Sequence, residues 1–169
     1  SSDVCSSDLP GVNIINADLN GINLEKDTAL GITNPQNPNI DLSINLSNSN
    51  LNGADLRNAN LIDVNLTNVD LTNIKSGNIT KSTKTKLPEG YFFINGYIVG
   101  PGVDLNGIDL NGIDLSKIDL TNIKSGNITS NNNTKLPKGY SIIKGYIIGP
   151  NVDLSNADLS GVDLSGVDL

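Results

Sequence analysis

The chain has 169 residues, a formal net charge of −7 and 37% hydrophobic content, with no His, Met or Trp. That length can bury a core, which must be aliphatic, since 21 Leu and 20 Ile stand against four Tyr and two Phe. The missing His excludes Ser-His-Asp and Cys-His nucleophiles and His-based zinc sites, no apolar run nears the roughly 20 residues that cross a bilayer, and the acidic balance argues against direct nucleic-acid binding.

In chain order, residues 1–9, SSDVCSSDL, back-translate to a common sequencing-library adapter and are read as an artefact. Excluding Asp3 and Asp8 takes the charge from −7 to −5, and Cys5, the single Cys, then says nothing about redox compartment or localisation. A short repeat segment follows at 11–24, with Ile14, Leu19 and Leu24 five apart. Residues 25–39, EKDTALGITNPQNPN, break that frame with two prolines and read as a loop. The main repeat block covers 40–79, through Leu46, Leu51, Leu56, Leu61, Leu66 and Leu71. An insert at 80–102 precedes a second block at 103–129, led by Leu105, Leu110, Leu115 and Leu120. A second insert at 130–151 precedes a last block at 152–169, which ends inside a repeat and is read as truncated.

What fold has a period of five? On an α-helix, successive leucines would step about 140° around the axis and form no face. In a straight strand, residues two apart share a face, which suits Ala54 with Leu56, but an odd period turns the next Leu to the opposite side. The leucines all point inward only if the chain turns a corner within each unit. Gly in LNG at 51–53, 105–107 and 110–112 and in LSG at 159–161 and 164–166 suits such corners. Short sides and repeated corners make a β-solenoid.

The unit NGADLRNANLIDVNLTNVDLTN at 52–73 resembles the pentapeptide-repeat family, whose pattern is A(D/N)LXX. The resemblance covers about half the chain and implies an all-β, right-handed, four-sided parallel β-helix with four units per coil. One departure stands out. The family favours a small residue two before the central Leu, where this chain has Ile22, Ile44, Ile108, Ile113 and Ile118, so the interior is expected to widen or shift.

A longer repeat overlies the short one. DLTNIKSGNIT at 70–80 recurs unchanged at 119–129, and TKLPEGYFFINGYIVGPGVDL at 85–105 corresponds to TKLPKGYSIIKGYIIGPNVDL at 134–154. Each insert holds two apolar runs around a two-residue turn with Gly, which predicts a β-hairpin packed on the solenoid. All the Tyr and Phe lie in these inserts; an aromatic ligand patch of Tyr91, Tyr97, Tyr140 and Tyr146 is weighed against the commoner core and edge-covering role.

Most of the 16 Asp immediately precede a repeat Leu, a position that alternates outward. A regular outward array offers no cleft for acid–base work. With four units per coil, Asp104, Asp109, Asp114 and Asp119 face four sides and cannot share a calcium ion. The same geometry stacks Asp55 on Lys75, Asn50 on Asp70 and Asp104 on Lys124, and places no Asp on another. The Asp are therefore read as solvation of the coil. Lys81, Lys84 and Lys86 become Ser130, Asn133 and Lys135 in the second copy, which favours a solvated loop over an anion site. The sequons at Asn78 and Asn127 are expected by chance, and the high Asn, Ile and Lys content reads as that of an AT-rich genome.

The expectation is a non-enzymatic structural or protein-interaction scaffold with no catalytic, cofactor-binding or metal residue. Its protein partner is unspecified, and open coil ends would allow end-to-end self-association. Two alternatives are weighed: a DNA-mimicking binder of a type II topoisomerase, as the resemblance implies, and a repetitive extracellular or cell-surface protein.

Overall fold

The computed structural model describes residues 44–165. The segments read at 1–9, 11–24 and 25–39, Ile22 among them, lie outside the described residues. The backbone within 44–165 is a β-helix-like solenoid of single parallel bridges, with four short strands in two hairpins. A residue meets its neighbour on the next turn after twenty positions: Asn45 pairs with Asn65, Asn50 with Asp70, Asp55 with Lys75 and Asn60 with Thr80. The same step links Asp104 to Lys124 and Asp109 to Thr129. Asp55 and Lys75, Asn50 and Asp70, and Asp104 and Lys124 thus stack as the period predicts.

Each corner has the same internal structure. The amide three residues after a central Leu donates back to that Leu carbonyl, as from Ala54 to Leu51 at 2.9 Å and from Ala59 to Leu56 at 3.1 Å. The second residue after Leu46, Leu51, Leu56, Leu61, Leu66 and Leu71 is left-handed: Asn48, Gly53, Asn58, Asp63, Asn68 and Asn73 have φ between 56° and 71°, and Asn78, two after Ser76, has 51°. Positive φ at that place defines a type II turn, which Gly and Asn tolerate best. Many of the Asn thus have a structural task at the corners. Asn68→Ala is expected to cost about 1–2 kcal/mol in urea denaturation, because an alanine Cβ opposes the left-handed backbone. Asn68→Gly should stay within about 0.5 kcal/mol.

The core is an axial column of leucines with the residue two before each. Leu51, Ala54, Leu56, Ala59, Leu61, Val64, Leu66 and Leu71 are all buried. Ile108 and Ile113 also fit, at 2% and 4% exposure, whereas Ile44 and Ile118 are only partly buried. The column accepts a larger side chain at two sites and leaves it at the margin at two others.

The chain keeps the coil path through Thr80 and Lys86, which pair with Asn60 and Asn65. It departs at Leu87-Pro88. Strand β1 (Phe92–Ile94) then pairs antiparallel with β2 (Tyr97–Val99), and β3 (Ser141–Ile143) with β4 (Tyr146–Ile148). Both residues of each hairpin turn are left-handed, Asn95 with Gly96 and Lys144 with Gly145, as a type I′ turn requires.

The hairpins are packed into the solenoid. Ile98, Val99, Ile147 and Ile148 are buried, and the Ser76 hydroxyl accepts from the Ile98 amide at 3.1 Å and donates to the Ile98 carbonyl at 3.3 Å. Ser125 does the same for Ile147, at 2.9 and 3.4 Å. A serine side chain thus stands in for the coil backbone that would otherwise pair with that strand.

Candidate functional site

The outward Asp and Asn positions are the chemistry-bearing array, and they have a structural task. The side-chain oxygen of each accepts from the amide two residues on: Asn45, Asn50, Asp55, Asn60, Asn65 and Asp70 do so at 2.9–3.1 Å. Asp104, Asp109, Asp114, Asp119, Asp153, Asp158 and Asp163 repeat the bond at the same distances. These Asx turns enter the corners that follow an Asp or Asn, and each satisfies a corner amide; the corners at Asn78 and Asn127, entered from Lys75 and Lys124, lack them. Reading the Asp as solvation alone was incomplete, because their side chains also hold the corners.

The hydrogen bonds set the charge state. The Arg57 guanidinium beside Asp55 holds its carboxyl below the ordinary 3.8. Asp109 is lowered first by the Asn111 amide and then by the Thr129 hydroxyl. Asp114 is held far below the usual carboxylate range by Ser116 and then by Lys135, whose ammonium lies 3.0 Å away. Ser155, Ser160 and Ser165 lower Asp153, Asp158 and Asp163 in the same way.

A lowered carboxyl stabilises the fold fully above its unfolded value and loses that contribution as pH falls through the folded one. The melting temperature is therefore expected to be level from pH 7 to 5, with no His to titrate between, and to drop below about pH 4. Calorimetry across that range checks this.

On one side of the coil the bridges run Asp55, Lys75, Asp104, Lys124, Asp153, with alternating sign through every turn they span. Lys124 lies 3.9 Å from Asp153. Asp104, Asp109 and Asp114 pair with Lys124, Thr129 and Lys135 respectively, so these three carboxylates belong to separate ladders. Among the described residues, no three His, Cys, Asp or Glu are grouped to hold a metal. No helix there is long and apolar enough to cross a membrane.

The remaining candidates are dispersed. Lys84 lies 3.9 Å from Asp63, Lys86 pairs with Asn65 in the coil, and the Lys81 ammonium sits 5.3 Å over the Phe93 ring. Each tyrosine has a local packing task. Tyr91 and Tyr140 donate to the Pro101 and Pro150 carbonyls, each at 2.9 Å, and pack against Gly100 and Gly149. Burial, then the Asp70 and Asp119 carboxylates, push the Tyr91 hydroxyl above 10.0. Tyr97 and Tyr146 lie over Gly77 and Gly126, each with a ring carbon 3.2 Å from where a Cβ would stand. The roles of Ser76 and Ser125 were not foreseen, although the unchanged recurrence of IKSGNIT was their visible trace.

A coil that turns a corner about every five residues, with Leu inward and Asp or Asn entering most corners, is a repeat solenoid. The family model for pentapeptide repeats matches in eight copies, over residues 43–75 and 150–169. Over those residues the chain is similar to pentapeptide-repeat proteins. The crystal structure of a pentapeptide repeat protein (Rfr23) from the cyanobacterium Cyanothece 51142 is similar at 21% identity, over 76% of this chain and 86% of that one, with a TM-score of 0.21. Comparison with curated proteins gave no match.

Proposed function

We propose that the chain is a non-enzymatic structural or protein-interaction scaffold whose blocks at 40–79, 103–129 and 152–169 form one right-handed, four-sided β-helix, with inserts at 80–102 and 130–151 that follow the coil as far as Lys86 and Lys135 before their hairpins. The twenty-residue return supports four sides, and the handedness comes from the family. The observation that carries the scaffold reading is the use of the polar array: its carboxylates hold corners and alternate with lysines, so fold geometry accounts for them. A DNA mimic needs a continuous acidic face, and the Asp55–Lys75–Asp104–Lys124–Asp153 ladder supplies the opposite pattern. A repetitive extracellular protein remains the second reading, supported by the 49-residue recurrence.

Each 49-residue unit contains two bridge steps, as from Asp55 through Lys75 to Asp104. A variant with one added unit should therefore lengthen by about 10 Å in small-angle X-ray scattering, given about 4.8 Å per strand spacing. An unchanged maximum dimension would sink the rod geometry. In a parallel assay, the protein should leave type II topoisomerase supercoiling unaffected; concentration-dependent inhibition would replace the scaffold reading with mimicry.

A further inference from the structure

The two 49-residue copies share most residues where the hairpin meets the coil but differ at a few that border it. A cleft of about 210 Å³ opens there, bordered by Asn106, Lys124, Asn127, Tyr146, Asp153 and Asn156. Its origin can be read from the substitutions between copies. In the first copy, Asn78 donates to the Asn58 side chain at 3.2 Å and closes the corner. The position equivalent to Asn58 is Gly107, so the Asn127 amide has no hydrogen-bond partner among the described residues. The Asn156 amide has none either. Arg57 gives way to Asn106, and Ile108 to the smaller Ala157.

The floor is held open by glycine. A Cβ on Gly126 would stand 2.6 Å from the Asn106 side-chain oxygen and 3.2 Å from the Tyr146 ring. The Tyr146 hydroxyl accepts from the Asp158 amide at 3.3 Å, which fixes the ring as one wall. Lys124 and Asp153, at 3.9 Å, stand beyond hydrogen-bond length and keep capacity for a third group. Their charges cancel.

The geometry points to a site for a single pyranose ring of a monosaccharide. Free amides, an ammonium and a carboxylate offer donors and acceptors together, as vicinal hydroxyls demand. The neutral sum disfavours phosphate or a metal ion, and the Tyr146 ring offers a flat apolar wall to a C–H face. A volume of 210 Å³ falls below the roughly 300–1,000 Å³ of drug-sized pockets. It suits one ring, either a free sugar or the terminal ring of a glycan. This goes beyond the scaffold reading, which stands whether or not sugar binds.

The test titrates the ¹⁵N-labelled full chain with methyl glucoside, methyl galactoside and N-acetylglucosamine, following the Asn side-chain amide resonances. Saturable shifts at Asn127 and Asn156 are expected for at least one sugar, with half-saturation in the millimolar range. Asn127→Gly and Asn156→Gly keep the left-handed corner and should each weaken binding at least tenfold at unchanged melting temperature. Equal binding of a disaccharide with the same terminal ring would indicate a glycan end, and its exclusion a free sugar. Shifts that stay linear with concentration, match those from acyclic sorbitol, or survive both substitutions would overturn the site.

Discussion

Leu66→Ala is expected to destabilise the solenoid by about 2–5 kcal/mol, read as a shift of the urea midpoint at constant slope. Leu66 has 0% exposure, and its amide donates to the Lys86 carbonyl at 2.9 Å. Its own carbonyl accepts from Val69 at 3.1 Å, so the backbone is tied on both sides. The coil therefore cannot close on the cavity, and the loss includes the empty volume as well as the transferred methyl groups. The partly exposed Leu159 provides the internal comparison: the same substitution there should cost clearly less. Equal losses at both positions would mean that the axial column is not the dominant core.

Ile98→Ala should cost a similar 2–5 kcal/mol, although Ile98 belongs to a hairpin and not to the repeat. Its exposure is 0%, and its backbone is bound on both polar groups by the Ser76 hydroxyl. Phe92, in the partner strand, is a larger residue but is 46% exposed, and Phe92→Ala should fall within about 0.5 kcal/mol. If the two variants unfold at the same midpoint as the parent, the hairpin is an appendage. If only Ile98→Ala falls, the hairpin is part of the solenoid core. Ile147, bound likewise by Ser125, should repeat the result in the second copy.

Much of this fold was legible in the chain because its period is short. Leu46 through Leu71 at intervals of five excluded helix and straight strand before any contact was known. The stacking of Asp55 on Lys75 followed from counting alone, and the bridges carry it. Asn95-Gly96 marked its hairpin because Asn and Gly both accept the left-handed backbone that a type I′ turn needs. The corner role of Asn was missed because Asn is tolerated in many loops, and only φ values at every fifth residue separate a backbone requirement from composition. The aspartates were legible as outward but not as Asx-turn acceptors, since that bond depends on a side-chain direction that spacing leaves open.

Local chemistry thus determined the unit by itself: an inward Leu, a corner tolerant of positive φ, and an Asx residue that caps it. These features act within five residues, so the linear order contains them. What only the tertiary structure decided is how unlike segments meet. Ser76 replacing a strand partner for Ile98, Tyr91 in the field of Asp70 and Asp119, and the cleft left where Gly107 stands opposite Asn127 all join residues twenty or more positions apart. Their distances follow from the path of the hairpin across the coil, and packing sets that path after the local pattern has been satisfied.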